Sequence, residues 1–137
     1  MLTIYDPSTG SQQLNGQFER LTGWKNGTSI LSLLEGCYPD PEYRQEVIKR
    51  MSACGPNEWI DVQMRTHDGR TLDTTWSNIS FSNGMQVDIG VDITERKRAE
   101  VQLRESEERY RTIVDTSNEG IWYVDLNAET VYLNEPM

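Results

Sequence analysis

The sequence predicts an α+β chain: two strands, a block of helices, three antiparallel strands and a long exit helix, after which the same unit begins again. Three observations carry this. Apolar residues recur at helical spacing from Asn15 to Gly55 and then switch to alternation from Glu58 to Ile93. Glycine turns at Asp68-Gly69 and Ser82-Asn83-Gly84 divide the alternating half into hairpin-linked strands. The opening of the chain reappears near its end, in GIWYVDLNAETVYLNEPM.

From Met1 to Gln17, apolar and polar residues alternate around the turn-forming DPSTG, which predicts two short antiparallel strands. Asn15 is placed to cap a helix, because its side chain accepts from the free N–H groups of the first turn. Phe18 and Leu21 give that helix a buried edge before Gly23 ends it. A second short helix is expected over Ser29 to Leu34, closed by Gly36. The third has Asp40 as its cap, Pro41 in first position, and a stripe of Tyr43, Val47, Met51 and Cys54 ahead of Gly55. Cys54 reads as a packed small residue, since no basic side chain lies near it in sequence to lower its pKa.

The strands that follow are oriented by their turns. Read as a two-residue turn, Asp68-Gly69 sets Ile60, Val62 and Met64 opposite Ser77, Thr75 and Asp73. Ser82-Asn83-Gly84 reads as a three-residue turn with a glycine bulge, pairing Phe81 with Met85 and Ile79 with Val87. Both put odd-numbered residues inside, and Met85, Val87, Ile89, Val91 and Ile93 agree as an apolar set. Thr75, Ser77, Ile79 and Phe81 are then expected to face the core. Trp76 and Leu72 are expected on the outer face, where a partner or the exit helix would cover them. A bulge near Ser77 would instead turn Trp76 inward.

Thr94 opens the exit helix, in which Ala99, Leu103, Ser106, Tyr110 and Ile113 form the seam of a weak two-stranded coiled coil. The alternative is a solvated single helix that only spaces domains. Beyond it Asp125 and Asn134 stand nine apart, as Asp6 and Asn15 do, with a leucine before each asparagine. The repeat is therefore one of whole domains and not of solenoid units, which are far shorter.

Bulk properties narrow the function. The 137 residues suit one domain of ordinary size, about 100 to 150 residues, with an attachment. No apolar run approaches the roughly 18 to 20 residues needed to cross a bilayer, and MLTIYDPSTG lacks the basic and apolar segments of a signal peptide, so a cytoplasmic setting without membrane contact is expected. A net charge of −9 argues against nucleic acid. The basic cluster Arg96, Lys97 and Arg98 is interleaved with Glu95, Glu100 and Glu105, as on a solvated helix. Cys37 and Cys54 have neither metal-site spacing nor the density of a disulfide scaffold.

NGQFERLTGW, YPDPEYRQEV, RTHDGRTLDTTW and GVDITERKRAE resemble the signatures of Per-Arnt-Sim (PAS) sensor domains with their C-terminal PAC motif, and SEERYRTIVDTSNEGIWYVD resembles the opening of a further PAS domain. The resemblance spans essentially the whole chain, and VDITERKRAE is its most specific part. It implies a five-stranded antiparallel sheet with helices on one face and a pocket between sheet and helices. It also implies that signals leave through the exit helix. Residues 1–94 are then expected to form a PAS/PAC domain without the family's leading helix, 95–113 a helical linker, and 114–137 the truncated start of a second PAS domain.

No catalytic or metal-binding constellation is expected: a triad would have to recruit His67, a loop residue before the Asp68-Gly69 turn. The resemblance argues against covalent flavin, whose Asn-Cys-Arg-Phe sequence is missing, and against haem, whose histidine comes from the longest helix; no cofactor is predicted. Ligand-pocket candidates are Phe18, Leu21, Met64, Thr75, Ser77 and Ile79, with a small-molecule ligand possible. The alternative is a filled core with both hydroxyls bonded to backbone. Asp92, Ile93 and Thr94 are the expected relay, Asp92 pairing with a basic residue at the domain edge, or else only capping the helix. Trp76, Leu103 and Tyr110 are candidates for a homodimer surface through the outer sheet face or the linker. The function expected is a sensory or relay module of a tandem-PAS two-component histidine kinase, next to PAS or kinase domains. The alternatives are a ligand-free dimerisation spacer and a PAS module of a diguanylate cyclase.

Overall fold

The computed structural model describes residues 1–116 and the backbone of 122–125 and 130–133. It divides into two units, Met1–Glu95 and Arg96–Met137.

In the first unit, strands β1 (Leu2–Asp6) and β2 (Ser11–Leu14) precede three helices, α1 (Gly16–Thr22), α2 (Ile30–Cys37) and α3 (Pro41–Ala53), and strands β3 (Ile60–Arg65), β4 (Thr71–Ser80) and β5 (Gln86–Asp92) follow. The five strands form one antiparallel sheet in the order β2-β1-β5-β4-β3. Each helix starts where a side chain supplies the acceptor its first turn lacks: Asn15 accepts from Phe18 N–H, Ser29 from Ser32 N–H and Asp40 from Glu42 N–H. Gly23 ends α1 in the left-handed region, at φ 78°. The α1 edge that is buried is Phe18 and Thr22, one turn apart, while Leu21 is half-buried. Gly36 does not stop α2, which runs to Cys37; its role is space, because a Cβ there would meet Trp24 Cη2 at 2.2 Å.

The core is built by Phe18, Leu33 and Val47 from the helices against Leu14, Val62, Met64, Leu72 and Trp76 from the sheet. Trp76 is therefore inside, 5% exposed, and the sequence expectation for β4 is corrected. The cause is the first hairpin turn, which spans three residues: Thr66 N–H donates to the Arg70 carbonyl at 2.8 Å, around His67, Asp68 and Gly69. The Thr66 hydroxyl fixes this turn, accepting from Arg70 N–H at 2.9 Å and donating to the Asp68 carboxylate. Gly69 takes φ 89°. One extra turn residue slips the register by one, so Ile60 pairs with Trp76, Val62 with Thr74 and Met64 with Leu72, and every side chain of β4 exchanges faces. The second turn has the expected form, with Phe81 N–H donating to the Met85 carbonyl and Ile79 opposite Val87. Those odd-numbered residues nevertheless lie outside: Ile79 is 46% and Phe81 52% exposed.

Helix α4 (Thr94–Thr116) begins at the end of the first unit. In the second unit, strands β6 (Trp122–Asp125) and β7 (Thr130–Leu133) pair antiparallel, Trp122 opposite Leu133. Asn134, matched to the capping Asn15 in sequence, lies outside the described residues.

Candidate ligand pocket and exit junction

The helices leave a cavity of about 100 Å³ against the inner face of the sheet. Its apolar wall includes Phe18, Leu33, Val47, Met51, Met64 and Trp76, and its polar wall is Thr3 of β1, Gln12 of β2 and Asp88 of β5. These three strands are neighbours in the sheet, and Thr3 stands directly opposite Asp88. The Thr3 hydroxyl donates to Asp88 Oδ2 at 3.0 Å and the Asn78 amide to Asp88 Oδ1 at 2.7 Å. Burial raises the Asp88 pKa above the usual carboxylate value, and these two hydrogen bonds oppose the rise. Cys37 and Tyr38 also line the cavity. Burial pushes the Cys37 thiol up to about 12 and the Tyr38 hydroxyl well above an ordinary phenol, so both stay neutral.

Of the residues named from sequence, Phe18 and Met64 line this cavity. Thr75, Ser77 and Ile79 do not, because the register places them on the opposite face; Thr75 donates its hydroxyl to the Ile60 carbonyl at 3.3 Å and Ser77 is buried beside its partner Ile89. Trp76, proposed for the surface, forms the cavity wall. Its ring lies over Gly90, its direct partner across the ladder, and its indole N–H donates to Thr74 Oγ1 at 2.9 Å. Sequence reading missed Thr3, Gln12 and Asp88. The signal was there in Gly90: a glycine facing a tryptophan across two strands marks a position where the ring needs the space.

The strand β5 is patterned in reverse of expectation. Val87, Ile89 and Val91 point outward and Asp88 and Gly90 inward. Leu2 opposite Ile89, Ile4 opposite Val87, and Ile79 beside them continue an apolar outer face, of which Val91 is 47% exposed. On α4, Leu103, Tyr110 and Ile113 are 60%, 55% and 52% exposed, and Val114 is buried. His67 is an exposed turn residue, its ring edge-on to Trp24 at 4.8 Å.

The junction of sheet and exit helix is held by hydrogen bonds. Asp92 Oδ1 accepts from Thr94 N–H at 2.9 Å and from the Thr94 hydroxyl at 2.5 Å. Thr94 Oγ1 in turn accepts from Asp73 N–H at 3.0 Å, and Ile93 N–H donates to the Asp73 carbonyl at 2.8 Å. The expected basic partner of Asp92 is thus replaced by Thr94: a carboxylate two residues before the helix start is already within reach of its free N–H group. Ile93 and Thr94 are buried.

Comparison with known proteins places this geometry. The model of the PAS domain family matches residues 108–137. No curated protein matches the chain. Among solved structures, the chain is similar to a sensory box histidine kinase/response regulator from Burkholderia thailandensis, with 25% identity and a TM-score of 0.55 over 81% of this chain and 89% of that one. An RNA-binding light-oxygen-voltage receptor is similar at 21% identity and a TM-score of 0.51, over 81% of this chain and 34% of that one. The N-terminal domain of a diguanylate cyclase with a PAS/PAC sensor from Marinobacter aquaeolei shares 16% identity and a TM-score of 0.52, over 70% of this chain and 96% of that one. The five-stranded sheet with its helices has the PAS fold. No helix among the described residues is long and apolar enough to cross a membrane.

Proposed function

We propose that this chain is a cytoplasmic sensing and relay module of a two-component histidine kinase, in which a change in the pocket passes through β4 and the Asp92–Thr94 junction into α4. The observation that carries the reading is the Thr94 hydroxyl, bonded to the backbone of Asp73 on β4 while Asp92 holds it from β5. β4 also bears Trp76, in the cavity wall. One strand therefore touches both the cavity and the first turn of the exit helix, and its displacement must stretch the Thr94 hydrogen bonds or carry the helix with it. In this reading the chain performs no catalysis itself; the 25% identity to the sensory box kinase supports a kinase output over a cyclase.

The test is Thr94→Val in the parent protein, which keeps the side-chain shape and removes the hydroxyl. Losing these bonds costs about 1 to 3 kcal/mol. The expected result is a folded protein whose output no longer follows its signal; an unchanged response refutes the relay. A second reading, a dimerisation spacer, is favoured by the exposed apolar outer face around Ile79 and Val91 and by Leu103 and Tyr110 on α4.

A further inference from the structure

On the cavity's polar wall, two donors are already used on Asp88. The Thr3 O–H is used on Asp88 Oδ2 and the Asn78 N–H on Asp88 Oδ1. Asp88 retains lone pairs beyond those two bonds, and Thr3 Oγ1 retains its own. Gln12 Oε1 is buried with no partner, the one such side-chain atom among the described residues. A buried acceptor left unmet costs roughly 1 to 3 kcal/mol, so its occupant is to be sought in the space it lines.

Charge narrows the occupant. None of the lining residues is basic. Asp88 is the one carboxyl group among them, so any charge this wall supplies is negative. A carboxylate or phosphate ligand would meet acceptors and a like charge. An ammonium brings three donors and no acceptor, which matches Asp88, Gln12 and Thr3. Phe18, Trp76 and Tyr38 line the cavity with aromatic and apolar surface, compatible with a cation and a short hydrocarbon. Size sets the rest: a dry cavity of roughly 150 Å³ elsewhere holds benzene, so about 100 Å³ suits a molecule of about four or five heavy atoms.

We propose that the pocket binds a small alkylammonium, its nitrogen held by Asp88, Gln12 and Thr3 and its hydrocarbon lying against Phe18, Met64 and Trp76. This deepens the sensing reading above and rests on it for physiological meaning, though not for binding.

The experiment is titration of the 137-residue chain with isobutylammonium chloride, isobutanol and sodium isobutyrate at constant ionic strength, followed by calorimetry and by the Trp76 indole N–H resonance. Isobutylammonium is expected to bind saturably and shift that resonance. Isobutanol should bind at least tenfold more weakly and isobutyrate not at all. Asp88→Asn, which keeps the side-chain shape, should weaken the ammonium at least tenfold. Gln12→Leu, on the edge strand, should weaken it severalfold and carries the test if Asp88→Asn does not fold. Equal binding of the alcohol, binding of isobutyrate, no binding of the ammonium at millimolar concentration, or indifference to both substitutions overturns the proposal. If no ammonium binds yet Thr94→Val still uncouples the parent protein, the ligand class falls and the relay stands. If ammonium binds and Thr94→Val signals normally, the relay falls and the ligand class stands.

Discussion

Adding one methyl group at Gly90 distinguishes the inward Trp76 from an outward one by the sign of the effect. A Cβ at this position would lie 2.6 Å from Cε2, Cζ2 and Cη2 of Trp76, against the 3.4 Å at which ordinary contact begins. The atoms approached belong to a rigid indole packed at 6.1 Å from the Phe18 ring and tied by its N–H to Thr74, so the ring cannot swing aside without losing a buried hydrogen bond. Overpacking of this kind costs about 1 to 3 kcal/mol. Against it stands the gain from replacing a strand glycine, about 0.4 to 1 kcal/mol through the unfolded chain. Gly90→Ala is therefore expected to lower the unfolding free energy by a net of up to about 2.6 kcal/mol, read as a lower urea midpoint at unchanged m. In a Trp76→Leu background, where the ring is absent, the same change should be neutral or stabilising, and the double-mutant cycle reads the coupling directly. A stabilised Gly90→Ala in the native background would refute the inward register.

Two further predictions follow from the two faces of the sheet. Asp88 has a folded-state pKa raised above its ordinary value of 3.8, so between that value and the raised one the folded chain holds a proton that the unfolded chain has lost. Its contribution is complete below pH 3.8 and is lost as pH rises through the folded pKa. Asp88→Asn should thus gain stability relative to the native chain as pH rises from about 4, by at most ~1.4 kcal/mol per pH unit, and then level off; urea midpoints across pH 3 to 7 that stay parallel would refute it. The dimerisation reading of the outer face predicts that Ile79→Glu with Val91→Glu shifts sedimentation of the chain from dimer to monomer without altering its circular dichroism; a native chain that sediments as a monomer refutes that reading, and a dimer that persists in the variant excludes this surface, with Leu103→Glu then examining the helix.

Much of the element order was legible because it rests on local chemistry. Asn15, Ser29 and Asp40 announce helices by the acceptors they offer, and Gly23, Gly69 and Gly84 mark places where positive φ is required. The faces of β4 and β5 were not legible, because they depend on one residue of turn length. His67-Asp68-Gly69 and Ser82-Asn83-Gly84 make the same three-residue turn, but Asp-Gly is also a good two-residue turn, and the bond from Arg70 N–H to the Thr66 hydroxyl that accompanies the longer form is not visible in the turn sequence. The apolar run Val87, Ile89 and Val91 then gave a false vote, since inward burial is not the only use of alternating apolar residues. Asp88 was passed over for the same reason: a carboxyl in the inward register looks like a solvent residue until the register is known. The Asp92–Thr94 junction was readable from sequence as a cap, but its bond to Asp73 joins residues far apart in the chain and no local pattern encodes it.

Consecutive residues of β5 serve two separate surfaces, Val87, Ile89 and Val91 one and Asp88 and Gly90 the other. Because the strand alternates, what the cavity accepts and what the outer face meets are written in interleaved letters of one short word. Each set can change by single substitution without moving the other to a different face. A frame slip has no such freedom: one residue inserted or deleted in either hairpin would exchange the two alphabets at once, turning the carboxylate to solvent and the valines to the cavity.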